Sequence, residues 1–213
     1  MKIELQKVLP EEIEKRSFEI ITQELGERTL PEKIAPIVKR AIHTSADFDY
    51  YENMKFSTDV VDKIAAAIRK GAVIVTDTQM AKAGISKPTL AKYGGEVLCF
   101  MSDEDVAQKA KEDETTRATA SIDKAATLEK PIIFAIGNAP TALVRIRELY
   151  EEGKLKPEAV IGVPVGFVNV CESKELIMET DIPYIVAKGR KGGSNVAAAI
   201  CNAILYMMRD NKI

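Results

Sequence analysis

The stretch PIIFAIGNAPTALVRIRELYEEGKLKPEAVIGV, residues 131–163, decides the fold. PIIFAI (131–136) and AVIGV (159–163) are unbroken apolar runs rich in β-branched residues, as expected of strands covered on both faces. Between them APTALVRIRELYEE has helical spacing, with Asn138 placed to cap the free N–H groups of its first turn and Gly153 to end it. The same alternation extends in both directions. AVIVT (72–76), PYIVA (183–187) and EVLCF (96–100) read as further strands, and helical segments follow Thr58, Ser102 and Ser194. Strands alternating with helices predict an α/β fold with a mainly parallel sheet and helices on both faces.

Before this pattern lie two helical stretches, EEIEKRSFEIITQEL and PEKIAPIVKRAIHTSAD, whose apolar residues recur at helical spacing (Ile13, Phe18, Ile21, Leu25; Ile34, Ile37, Val38, Ala41, Ile42). This N-terminal helical pair is expected to cap the sheet or to build a contact between copies. No repeat, low-complexity tract or Pro/Ser-rich linker divides the 213 residues, so one domain over 1–213 is expected. Apolar residues at 46% and charged residues at 29% are those of an ordinary soluble globular chain. Thirty basic residues against 32 acidic ones, a net charge of -2, argue against a nucleic-acid partner held by a whole-molecule positive field. Cys99, Cys171 and Cys201 are odd in number and embedded in apolar runs, which reads as reduced core thiols. Charges interrupt the N-terminal MKIELQKVLPEEIEKRS, and the most apolar run, AVIGVPVGFVNV, is far shorter than the ~20 residues that span a bilayer. A cytoplasmic protein without a membrane partner is expected.

His43 is the only histidine, and histidine is the side chain whose ordinary pKa, about 6.5, suits proton transfer at neutral pH. If its helix continues to Asp47, then Arg40, His43 and Asp47 share one face, with a cation, a titratable ring and a carboxylate to orient it. The alternative is a solvated charged face. AIGNAPTAL (135–143) and AKGRKGGSN (187–195) are strand-to-helix junctions, where unpaired N–H groups receive anions at the carboxyl edge of an open sheet. The glycines of the second, Gly192 and Gly193, permit close backbone approach, and Arg190 and Lys191 add charge. Neither junction carries the dinucleotide fingerprint or the Walker lysine. GVPVGFVNVCESK (162–174) places Gly166 at another strand end, either yielding to a flat ligand or forming a tight turn. TDTQM (76–80) brings Thr78 and Gln79 to the same edge, and TTRATASID (115–123) sets Arg117 at a helix start.

Taken in order, RSFEII, RAIHTSAD, VTDTQM, AIGNAPTAL, GVPVGFVNVCESKELI and GRKGGSNVAAAICNAIL closely resemble the precorrin-8X methylmutase family, which includes the cobalt-precorrin-8 enzymes. The resemblance runs from about Arg16 to near the C-terminus. It implies a dimeric, cofactor-free isomerase that moves a methyl group from C11 to C12 in ring C of a tetrapyrrole, giving the corrin of hydrogenobyrinate or cobyrinate. It further implies that His43 donates and accepts the proton, with Ser17 and Arg40 contacting substrate.

The chemistry of the residues agrees with that expectation. A methyl shift on a conjugated macrocycle asks the protein for one proton-transfer group and a rigid pocket, and for no metal or nucleophile. Cations and backbone donors are needed for the carboxylate arms, and Arg40, Arg117, Arg190, Lys191 and the two glycine junctions are candidates, with Thr78, Gln79, Asn138 and Gly166 as further substrate-binding candidates at the same edge. Two other readings stand beside it. A nucleotide- or sugar-phosphate-binding α/β enzyme would be favoured by a dinucleotide loop or a metal-binding carboxylate pair, and a corrinoid carrier by a histidine without catalytic effect.

Overall fold

The structure, a computed structural model, describes residues 6–213; part of the charge-interrupted N-terminal segment therefore lies outside the described residues. In chain order the elements are α1 (Ile13–Leu25), α2 (Ala35–Ser45), α3 (Tyr50–Asn53), β1 (Met54–Phe56), α4 (Val60–Arg69), β2 (Val73–Thr76), α5 (Gln79–Gly84), α6 (Lys87–Ala91), β3 (Val97–Leu98), α7 (Glu104–Glu112), α8 (Arg117–Ala125), β4 (Ile132–Ile136), α9 (Pro140–Glu151), β5 (Ala159–Gly162), α10 (Val170–Met178), β6 (Tyr184–Ala187) and α11 (Ser194–Arg209). They form one six-stranded sheet in the order β1-β6-β5-β4-β2-β3. Every pair is parallel except β1 with β6, where Met54 faces Ala187 and Phe56 faces Ile185. The five expected strands are present, together with a short antiparallel edge strand inside the aromatic-rich 47–56 segment.

Alternate residues of each strand enter different cores, because successive side chains leave opposite faces of a pleated strand. Ile74, Ile133, Ala135, Ile161 and Ile185 pack with α2, α4 and α11. Val75, Phe134, Ile136, Val160 and Val186 pack with α8, α9 and α10. Side chains such as Phe134 and Ile133 have no exposed surface, and burying each contributes about 1.5–3 kcal/mol. Of the N-terminal pair, α2 lies against α11 and thus on the sheet layer, while α1 packs on α2.

The expected helix starts are shifted by one residue. Asp59, Asp103, Ala139 and Gly193 occupy the positions preceding α4, α7, α9 and α11, none with a side-chain cap. Side-chain caps come instead from Thr78 and Thr116, which accept from Ala81 N and Thr119 N, both at 3.1 Å.

From β2 the chain goes first to one neighbour, β3, and then returns to the other side of β2 for β4, β5 and β6. Such a reversal opens a crevice at the carboxyl ends of the strands, between β2 and β4, where ligands of open α/β sheets commonly bind.

Candidate functional site

The crevice at the reversal is closed by the chain itself. Asp77 directly follows β2, and its carboxylate accepts from Gly137 N at 2.8 Å, Asn138 N at 2.8 Å and Ala139 N at 2.6 Å. These are the donors at the start of α9 that the sequence offers to an anionic ligand. Asp77 is 2% exposed. Burial pushes its carboxyl above the usual carboxylate range, and the three N–H donors pull against that shift. A carboxylate at a helix N-terminus also gains from the helix dipole. The Asn138 side chain stays exposed, so a contact with ligand would fall to that side chain and not to its N–H.

The glycine junction after β6 is packed as tightly. A Cβ on Gly192 would lie 2.1 Å from the Val163 carbonyl oxygen, and one on Gly137 would lie 2.7 Å from Ser194 Cα. Gly193 N donates to Val163 O at 2.9 Å, and Val163 N to Ile136 O at 2.8 Å. The glycines therefore let the ends of β4 and β5 meet the start of α11. Thr78 adds a side-chain link, donating to Ser194 Oγ at 2.8 Å while capping α5. Gln79 Nε2 donates to Ser102 Oγ at 3.1 Å, and Gly166 N to Arg190 O at 3.2 Å.

With the central crevice filled, the open part of this edge lies toward α2 and α11. His43 stands in the last turn of α2 with its ring exposed. It lines a recess of about 280 Å³ with Arg40, Thr44, Met80, Asn195 and Asn202. Phe18 of α1 stacks on the imidazole, with ring centroids 5.3 Å apart and planes 13° from parallel. Arg40 lies between two rings, 5.1 Å from the Phe18 centroid and 4.9 Å from that of Tyr206, and pairs with Glu14 at 2.7 Å. Asn195 Nδ2 donates to Thr44 O at 3.4 Å, which ties the first turn of α11 to the helix end that carries His43.

Asp47 does not join this face. Helix α2 ends at Ser45, and Ala46 turns the chain in a left-handed conformation with φ 54°. Asp47 then pairs with Lys191 at 2.7 Å, as does Asp49 at 2.6 Å. Although burial works against it, the Lys191 hydrogen bond holds the Asp47 carboxyl below its usual range, and both partners hold the Lys191 ammonium well above its own. The imidazole is oriented by an aromatic face, with no help from Asp47.

Ser17 sits one residue before Phe18 and donates back to Ile13 O at 2.9 Å. Arg117 is exposed at the first position of α8, where Thr116 meets Thr141 of α9 at 3.0 Å. It belongs to the helix layer opposite His43. His43, Thr78, Gly192 and Gly193 thus gather around the start of α11 and Arg40 lies further along that helix, beside Tyr206, whereas Arg117 and Asn138 border the same sheet edge on its other side. Among the described residues no group of three His, Cys, Asp or Glu side chains is placed to hold a metal ion.

Sequence reasoning passed over three residues that build this region. Phe18 was read only as part of a buried stripe. Asp77, in the TDTQM stretch, follows a strand and reaches the same sheet edge as Thr78 and Gln79, but nothing in the sequence shows that its carboxylate turns inward onto backbone donors. Lys174, inside the ESK segment, has no exposed surface, and its ammonium donates to Gly189 O at 2.6 Å and Lys191 O at 2.9 Å.

The recess thus presents an exposed, stacked imidazole with a guanidinium one helical turn away. The family model described as precorrin-8X methylmutase matches residues 12–207. A cobalt-precorrin-8 methylmutase of Priestia megaterium is 47% identical over 197 residues, covering 92% of this chain and 88% of that one. One from Leptospira interrogans is 44% identical and covers 92% of each chain. The solved precorrin-8X methylmutase of Thermus thermophilus superposes with a TM-score of 0.86 at 36% identity, covering 95% of this chain and all of that one. The chain belongs to the precorrin-8X methylmutase family.

Proposed function

We propose that this chain, as one methylmutase domain, is an isomerase of cobalamin biosynthesis that moves a methyl group from C11 to C12 of a precorrin-8-type tetrapyrrole, with His43 as the proton-transfer residue. Substrate and product are isomers. The C11–methyl bond breaks as the C12–methyl bond forms, and one ring proton changes place through the imidazole. The observation that carries the role is the exposed His43 ring held against Phe18 in the recess beside Arg40. Proton transfer by a placed side chain contributes about 10²–10⁴-fold. His43→Ala should therefore bind hydrogenobyrinate or cobyrinate about as well as the parent while turnover falls by that factor. Normal turnover would remove His43 from the mechanism, and unimpaired binding with no conversion by the parent protein would favour a carrier.

The Priestia megaterium and Leptospira interrogans relatives act, by their names, on the cobalt form, whereas the less similar Thermus thermophilus protein is named for precorrin-8X. We favour cobalt-precorrin-8 as substrate on that ground, and incubation with each form, followed by the appearance of the corrin absorption, tests it.

The recess, at about 280 Å³, falls just below the ~300–1,000 Å³ of sites that enclose small ligands. A macrocycle seated there needs a second surface over it. Val165, Phe167 and Val168, 49%, 83% and 76% exposed, form an apolar loop at the same edge, and we assign that loop to the contact between copies in a homodimer. Sedimentation of Phe167→Asp should show monomer where the parent shows dimer, and an unchanged dimer would refute the assignment. Buried thiols at Cys99 and Cys201 and the absence, among the described residues, of a helix long and apolar enough to cross a membrane support placement in the cytoplasm.

A further inference from the structure

Lys174 is a charged side chain with no exposed surface, on a helix whose inward face is Val170, Ser173, Lys174 and Ile177. An ammonium so placed is retained only where its donors have firm acceptors. Here both named acceptors are carbonyls of one loop, Gly189 O and Lys191 O, and no carboxylate pairs with it among the described residues. A trans peptide directs its C=O and N–H in opposite senses, and the chain contains no cis bond among the described residues. With the 189 and 191 carbonyls turned onto the ammonium, the N–H groups of Arg190 and Gly192 point away from it. Neither donates to another backbone carbonyl among the described residues. The buried charge draws electron density toward the carbonyl ends and leaves those N–H groups better anion donors. Beside them stands the exposed Arg190, and the same loop continues into Asn195 at the His43 recess.

We propose that Lys174 is a positioning residue for substrate: its ammonium holds the 189–192 loop with the Arg190 and Gly192 N–H groups turned outward to receive a carboxylate arm of the macrocycle. This rests on the methylmutase reading for the identity of the ligand. His43 stands apart from the clamp, fixed by the hydrogen bonds of α2 and by the Phe18 stack. Loss of the clamp therefore acts on binding more than on the chemical step.

The test compares Lys174→Met, which keeps the stem and removes the donors, with Lys174→Arg, which keeps a cation and donors. For Lys174→Met we expect KM for substrate and Kd for cobyrinate to rise at least tenfold, kcat to fall less than about threefold, and amide hydrogen exchange to quicken across 189–195 but not in β4 and β5. Lys174→Arg should recover part of the affinity. KM and Kd within twofold of the parent in Lys174→Met would overturn the proposal. So would general loss of protection across the sheet, which would mark Lys174 as a structural residue only. Failure of the underlying reading looks different: the parent protein itself would convert no tetrapyrrole, while the exchange comparison would still report on the clamp.

Discussion

Replacing Asp77 with alanine removes the one side chain that joins the end of β2 to the start of α9. The carboxylate accepts three backbone N–H groups, at 2.8, 2.8 and 2.6 Å. A hydrogen bond to a charged group contributes about 1.5–3 kcal/mol, and a buried donor left without a partner costs about 1–3 kcal/mol. These contributions do not add, because the desolvation of the buried carboxylate is relieved at the same time. Three backbone donors left without their acceptor, at about 1–3 kcal/mol each and offset in part by that relief, put the expected loss at about 3–5 kcal/mol. For a chain of this size each kcal/mol moves Tm by about 2–4 °C, so calorimetry should find Asp77→Ala melting roughly 6–20 °C lower. Asp77→Asn should fall between, since an amide oxygen can accept some of the N–H groups while its NH₂ opposes the rest. The vacated donors offer a second readout. Inorganic phosphate should raise the Tm of Asp77→Ala, by occupying the freed N-terminus of α9, and leave the parent unmoved. A Tm loss below about 3 °C, with no phosphate effect, would refute the view that Asp77 fills an anion site.

Lys174 also gives the protein a pH signature. Burial pushes its ammonium down to about 8, with the neighbouring Cys171 opposing. Between about 8 and the ordinary 10.5 the unfolded chain holds a proton that the folded chain lacks, so rising pH favours the fold. At about 1.4 kcal/mol per pH unit the window is worth about 3 kcal/mol. Cys201, whose thiol burial pushes up to about 12, acts in the opposite sense above pH 9; urea titrations of Lys174→Met against the parent isolate the lysine, and parallel stability curves would refute it. Gly192→Ala drives a Cβ onto the Val163 carbonyl, and about 1–3 kcal/mol of overpacking should appear as a Tm lower by roughly 2–12 °C; an unchanged Tm would show that the loops separate freely. Arg117→Ala should weaken cobyrinate binding several-fold with Tm unchanged, and unchanged affinity would leave Arg117 as surface charge.

The four central strands β2, β4, β5 and β6 were legible because each is an unbroken apolar run rich in β-branched residues, and β3 from the short apolar run in EVLCF. Strand β1 was not, since Met54–Phe56 is a short edge whose residues differ in exposure. Helix α10 was hidden for a more instructive reason. Its buried positions 170, 173, 174 and 177 have helical spacing, but two of the four are Ser and Lys, so hydrophobicity could not trace them. The functional need for a buried cation erased the local signal of the element that carries it. The proton-transfer candidate was visible as a lone histidine with a nearby arginine. Its real support was not, because Phe18 comes from another helix and Asp47 is diverted by the left-handed turn at Ala46.

The same competition explains where the site lies. Sequence spacing offers both the GNAP and the GRKGG junction to an anionic ligand, because each ends a strand and begins a helix, and only Arg190 and Lys191 favour the second. What separates them is the neighbour that each meets in three dimensions. Asp77 comes from the adjacent strand β2 and satisfies the first junction from inside. Lys174 reaches the second from below and takes its carbonyls, leaving its N–H groups outward. A carboxylate at one junction and an ammonium at the other give the two junctions opposite receptivity to anions. On the proposed reading, that difference favours seating a polyanionic ring beside the second junction, toward His43. Each junction can be tested separately: Lys174→Glu, which reverses the charge, should repel cobyrinate at the His43 recess, and Asp77→Ala, which removes it, should open a second anion site that leaves the methyl shift with its ordinary KM.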